Sequence, residues 1–457
     1  MMGEHNSPTQ ALARHVADRS QPVSSELNDR MRLLLFDYLA IARAGIHIES
    51  AQSALAAVGG GRADRSDAAP ARIQGAQRFA SVADAAFVNG VSAHGLELDD
   101  THEEASLHPG VAVWPATLAL ADELGSSVND VIRSAVIGYD VTCAIGVLVG
   151  AAEAYGRGFH PTGIAGIVGA AAACASLAQL DEEQALNTLS VAANMASGSL
   201  EFLSDGSWTK RLNAGNAAAQ GVRACRLGQA GFRGPATAIE GTHGMLVQYG
   251  TESSRTRELD LQFGSGARET SVKFYPCCRY MHGNIDLLRS LHDELGTLRP
   301  QDVERIDVGV IRAGQSLVSI PTAKKLSVNT TVDAQFNMPF GAALALTSGV
   351  ATLGDFADAP RRATTLKEWL PKVHSYTSER LEAAYPKRWK AEVSVRLSDG
   401  SVISRSADAF KGAPGDPASW ADIREKATTL IGADQASTLA ASILTLGTDS
   451  PLLEGLH

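Results

Sequence analysis

Aromatic residues are scarce in this 457-residue chain: Phe, Trp and Tyr make up 5% of it. Rings therefore cannot be the main filler of its interior. Alanine and 43 glycines take that part, since small side chains let helices approach closely. Cysteine is scarce too. Cys143, Cys174, Cys225, Cys277 and Cys278 are odd in number and form no Cys-x-x-Cys pair, which excludes a disulfide framework and the common zinc and iron–sulfur spacings and fits a reducing compartment. Positive charge is short as well. A formal net charge of −10 argues against general nucleic-acid affinity and means that an anionic ligand needs its own local cations. Long uninterrupted apolar runs are missing; the longest, such as 163–177, are broken by Gly and Ser and fall short of a bilayer. Residues 1–25 are polar and charged, without a signal-peptide run. A cytoplasmic enzyme with neither membrane nor nucleic-acid partners is the expectation.

At this length one compact core is not expected, so two domains are. The first 24 residues read as a loose arm leading into a helix near 25–44, and 59–69, rich in Gly, Arg, Asp and Ser, as an exposed loop. From 81 to about 231 the pattern is helical, with apolar residues at helix spacing over 112–124, 128–150, 162–177, 181–196 and 215–228. After 263 the pattern changes. Val-Glu-Arg-Ile-Asp-Val-Gly-Val at 303–310 predicts a strand, and 391–405 predicts a hairpin turning at Ser398-Asp399-Gly400. Residues 420–444 return to helix. The expected fold class is mainly α with an α+β part: a helical domain over 8–267, completed by 409–457, and an α+β domain over 268–408.

Against these absences stands one dense segment, Ala93-His94-Gly95-Leu96-Glu97-Leu98-Asp99-Asp100-Thr101-His102, followed by His108-Pro109-Gly110. Three histidines and five carboxylates fall between His94 and His108, flanked by alanine-rich apolar stretches. Burying ionisable groups so densely costs too much without a chemical or structural reason. Within it, Asp99 and Asp100 also suit a helix cap or turn, while His102, Glu103 and Glu104 read as solvated loop. A metal site from His94, His102 and His108 matches no known ligand spacing. Four further segments carry chemistry. Phe159-His160-Pro161-Thr162 sets a histidine at a helix start, where free N–H groups can hold an anion. Trp208-Thr209-Lys210-Arg211-Leu212-Asn213-Ala214-Gly215 pairs two cations with amide and small residues. Lys273-Phe274-Tyr275-Pro276-Cys277-Cys278-Arg279-Tyr280-Met281-His282 opens the second domain, and Asp333-Ala334-Gln335-Phe336-Asn337-Met338-Pro339-Phe340 follows within it. Cys277 and Cys278 read as small buried hydrophobes rather than thiol nucleophiles, and Trp208 and Phe336 as packing residues.

In order and spacing, Leu-Asp-Asp-Thr-His…His-Pro-Gly, Phe-His-Pro-Thr, Thr-Lys-Arg-Leu…Ala-Gly and Lys-x-x-Pro-x-Cys…His resemble the MmgE/PrpD family, which includes 2-methylcitrate dehydratase, cis-aconitate decarboxylase and iminodisuccinate epimerase. The likeness runs from about residue 8 to 450. It implies a helical domain with an inserted α+β lid, a site in the cleft between them, a homodimer, and chemistry without metal or organic cofactor on a small di- or tricarboxylate. By motif position the family's site residues fall on Asp99, Thr101, His108, His160, Lys210 and Lys273. Three positions depart: Cys278 and Asn213 stand where some members have histidine, and Phe340 where a tyrosine is common.

The residues support such chemistry on their own account. Removing a proton next to a carboxylate leaves enediolate-like charge that fixed cations must stabilise. Lys210, Lys273, Arg211 and Arg279 are the candidates for that task and for binding substrate carboxylates. His108 or His160 serves as general base or acid, and Asp99 or Asp100 orients a histidine or takes the proton. The expected catalytic set is His108, His160, Lys210, Lys273 and Asp99; Thr101, Arg211, Cys278, Arg279 and Phe340 are the expected substrate contacts. Dehydration of a 2-methylcitrate-like acid is the first reading. Decarboxylation, epimerisation and a catalytically silent carboxylate binder are the alternatives.

Overall fold

The computed structural model describes residues 7–447; the end of the tail, 448–457, lies outside the described residues. The chain is mainly helical, with small sheets. The arm expected to be loose contains a helix, Pro8–Ala17, because Ser7 caps it by accepting from Gln10 N–H at 3.2 Å and Pro8 suits its first turn. The expected helical stretches appear as Gly110–Leu124, Val128–Val149, Pro161–Leu177, Glu182–Met195 and Thr209–Gln229. Ser127 and Asp181 cap two of them, the latter in a full capping box with Gln184. Val128–Val149 is long and apolar enough to cross a membrane by length and composition, contrary to the expectation that no run is. Its apolar window is 89% buried inside the fold, which supplies the reason for its composition.

Glycine decides where these helices touch. Val82–His94 and Thr209–Gln229 cross with Gly90 against Gly215, and a Cβ on Gly90 would stand 2.8 Å from the Gly215 Cα. One apolar core gathers residues from 12 to 272 together with 418–446, so the tail helices Trp420–Ile431 and Ala433–Thr445 pack with the N-terminal part. A second core draws on Phe202 and 275–395. It is built on a four-stranded sheet in the order Val373–Thr377, Val303–Val310, Ala391–Leu397, Val402–Ala407, parallel in its first pair and antiparallel in the others. The predicted strand and hairpin are thus its centre and edge. A two-residue pairing, Thr101 with Ser271 and His102 with Thr270, stitches the acidic segment to the strand that enters the α+β part.

Candidate active site

The stitch and the helix crossing bring four distant segments together. Lys273 follows Ser271 by two residues, Lys210 is the second residue of Thr209–Gln229, His94 ends Val82–His94, and His160 is the N-cap of Pro161–Leu177. At their centre is Glu97, only 3% exposed. One of its oxygens takes Lys210 Nζ and the other takes Lys273 Nζ at 3.1 Å. Lys273 Nζ also lies 3.7 Å from Asp99 Oδ1. Asp99 Oδ2 faces His94 Nδ1 at 2.9 Å and His108 Nδ1 at 3.0 Å. The His94 ring stacks on His160 at 5.7 Å, and Asn213 Nδ2 lies 3.3 Å from His160 Nδ1. Glu97 has a φ of 55°, a left-handed backbone that non-glycine residues hold only where the surroundings enforce it.

Charges this deep persist because they are paired. Burial opposes ionisation of Glu97, but Lys210 and Lys273 outweigh it and hold the carboxyl below its ordinary range. Asp99 is held low in the same way, against burial, by His108 and Lys273. Lys273 keeps its proton more firmly than usual: burial works against the charge, and Asp99 and Glu97 overcome it. Burial depresses all three imidazoles, His94 to about 4, although Asp99 pulls His94 and His108 partly back up. Asp100 goes the other way. Burial pushes it up to about 7, while it accepts from the Tyr139 hydroxyl and from Gly110 N–H at 2.9 Å. That explains the glycine of His-Pro-Gly, because a Cβ on Gly110 would meet Asp100 Oδ2 at 2.5 Å.

A cavity of about 30 Å³ lies against these groups, room for little more than a water or two. Glu97, Thr101, His108, His160 and Lys210 line it from the helical side; Cys278, Arg279, Tyr280, Phe336 and Trp389 line it from the α+β side. A larger cleft of about 700 Å³, bounded by Leu98, Phe274 and the tail helix, holds none of the histidines. Of the expected site residues, Asp99, Thr101, His108, His160, Lys210, Lys273, Cys278 and Arg279 converge. Two do not. Arg211, one helix position beyond Lys210, turns away and donates to Ser50 Oγ at 2.9 Å. Phe340 packs inside the second core, edge-on to Phe356 at 5.4 Å, because its place in the helix Met338–Ser348 is fully buried.

The solvated loop expected at 102–104 is also corrected: His102 and Glu103 are buried. Glu103 accepts from Ser271 Oγ at 3.0 Å and Trp389 N–H at 3.3 Å and stands 3.5 Å from Arg279 Nη2. Sequence reasoning missed Glu97 as the central counter-ion, although it sits two residues from Asp99 in the same dense segment. It also gave no role to Tyr280, although that residue lies in the 273–282 segment, and passed over Tyr155 and Trp389, whose approach to the site depends on the fold alone. His94, Asp99 and His108 offer donor atoms within 4.8 Å of one another, a spacing that suits a metal ion. Lys273 Nζ stands beside this trio, 3.7 Å from Asp99 Oδ1.

A helical body carries a smaller α+β part, with paired lysines, carboxylates and imidazoles at the junction, and the proteins it resembles make it a lyase. The chain belongs to the MmgE/PrpD family: the N-terminal domain profile matches residues 10–258 and the C-terminal domain profile residues 275–444. It is 25% identical over 465 residues to cis-aconitate decarboxylase of Aspergillus terreus, covering 95% of this chain and 92% of that one. Over 353 residues it is 26% identical to the Homo sapiens cis-aconitate decarboxylase, covering 75% and 71%. A third relative, the cis-aconitate decarboxylase-like protein oryM of Aspergillus oryzae, is 23% identical over 455 residues, covering 94% and 92%.

Proposed function

We propose that the protein is a cis-aconitate decarboxylase-like lyase that releases carbon dioxide from a small unsaturated tricarboxylate. The observation that carries this reading is the Glu97 carboxylate held between Lys210 and Lys273, beside the clustered imidazoles of His94, His108 and His160. The two ammonium groups are placed to take up the enolate-like charge that the departing carbon dioxide leaves behind. Glu97 and Asp99 fix both and favour their charged forms, which outweighs burial at Lys273 but not at Lys210. His108 and His160 border the cavity, where their rings can hydrogen-bond substrate carboxylates. The relatives support decarboxylation over the dehydration of a 2-methylcitrate-like acid, which the sequence placed first. A homodimer, implied by the family resemblance, is part of the proposal and is checked by light scattering.

The test incubates purified protein with cis-aconitate and, separately, with 2-methylcitrate. Carbon dioxide release from the former supports the proposal. Water loss from the latter without carbon dioxide from the former supports a hydro-lyase instead. Lys273→Ala and His160→Ala should each lower turnover by at least about a hundredfold. Undiminished rates in both would move the chemistry away from this cavity.

A further inference from the structure

Decarboxylation ends with a carbanion that must receive a proton, and the charged groups of the site are poorly placed to give one. Burial disfavours the charged form of all three histidines, His94 Nδ1 and His108 Nδ1 are turned to Asp99 Oδ2, and the lysine Nζ atoms are held on Glu97. Hydroxyls line the same cavity. Tyr155, Ser106 and Tyr280 all line the cavity. Ser106 Oγ lies 2.7 Å from Tyr280 Oη, while Tyr155 Oη donates to the Ser106 carbonyl at 3.0 Å and stands 3.5 Å from its Oγ. Ser106 has a φ of 48°, a second left-handed non-glycine residue beside the cavity, held there at a conformational cost. The Tyr280 ring is fixed by stacking on Trp389, with centroids 4.3 Å apart and planes 13° from parallel. Farther out, Tyr385 Oη stands 3.5 Å from Tyr280 Oη.

We propose that Tyr280 is the proton donor of the reaction, with Ser106 as its hydrogen-bond partner and Tyr385 as the route by which its proton is restored. This rests on the decarboxylation reading. The Tyr280 Oη–H bond breaks, a C–H bond forms at the carbanion carbon, and the electron pair of the broken bond stays on Oη. The Ser106 hydroxyl then donates to the phenolate; Tyr155 leaves it free to do so by binding mainly the Ser106 carbonyl. A proton returns through Tyr385 from water. Burial pushes both Tyr280 and Tyr155 upward, so each still carries its proton at neutral pH.

The test is Tyr280→Phe, which keeps the ring on Trp389 and removes only the hydroxyl. The expected result is a fall in kcat of about a hundredfold, with KM and melting temperature near those of the wild type. The solvent deuterium isotope effect on kcat should rise as protonation becomes limiting. Tyr385→Phe should slow turnover only a fewfold. Wild-type turnover and an unchanged isotope effect in Tyr280→Phe would overturn the assignment while leaving the decarboxylation reading intact. Absence of carbon dioxide release by the wild-type protein would overturn both.

Discussion

At the scale of single residues, Glu97 is the pivot. Glu97→Gln leaves two buried ammonium groups facing a neutral amide, and removing one member of a buried charge set costs about 3–5 kcal/mol. The variant should lose at least about a hundredfold in kcat and unfold at lower denaturant; chemical denaturation beside steady-state kinetics checks both. Asp100 gives a prediction of opposite character. Its folded value is raised to about 7 from 3.8, so its contribution to stability is complete below the unfolded value and disappears as pH rises through about 7. Asp100→Asn lacks that slope. Between pH 5 and pH 8 the variant should gain on the wild type by about 2.5 kcal/mol in stability; a constant difference would contradict the burial of this carboxyl. The residues legible in the sequence were those whose motif position and contacts coincide, such as His108, His160, Lys210 and Lys273. Arg211 lies off the cavity because one helix position, about a quarter turn, decides which side a neighbour faces, and Phe340 because its helix position is buried in the second core.

At the scale of elements, the tail helix Trp420–Ile431 reaches the site through one side chain. Lys426, 7% exposed, donates to the Leu98 carbonyl at 2.8 Å and pairs with Asp37 at 2.7 Å. It thereby holds the backbone between Glu97 and Asp99. Lys426→Met should destabilise the protein by about 3–5 kcal/mol, because Asp37 is left buried and uncompensated. Adding Asp37→Asn should restore most of the stability and little of the kcat, since the Leu98 carbonyl still lacks its donor. Recovery of both together would mean that the pair only supports the fold. The helices, the strand at 303–310 and the hairpin could be read from hydrophobic period and turn residues. The contact of the tail helix with the acidic loop could not, because no local pattern encodes a partner more than three hundred residues away.

At the scale of the whole molecule, two cores meet at a cavity of about 30 Å³, too small for a six-carbon tricarboxylate, so we predict that the junction opens for substrate. Glu103 is the clasp to be released, gripping Ser271, Trp389 and Arg279 at once. Glu103→Gln should weaken stability by about 1–3 kcal/mol, whereas Glu269→Gln, which breaks an exposed pair with Arg388 at 3.2 Å, should stay within about 1 kcal/mol of the wild type. Equal effects in thermal unfolding would contradict the clasp. The two-part architecture was visible in the change of pattern near residue 263, but the closure was not, because it rests on carboxylates that read as a solvated loop. The most direct test of the central claim is proton NMR of wild-type protein with cis-aconitate in deuterated water. The account predicts loss of carbon dioxide and a five-carbon unsaturated dicarboxylate bearing one solvent deuterium on carbon, with both lost in Lys273→Ala. Intact substrate with no carbon-bound deuterium, or full activity in that variant, would contradict it.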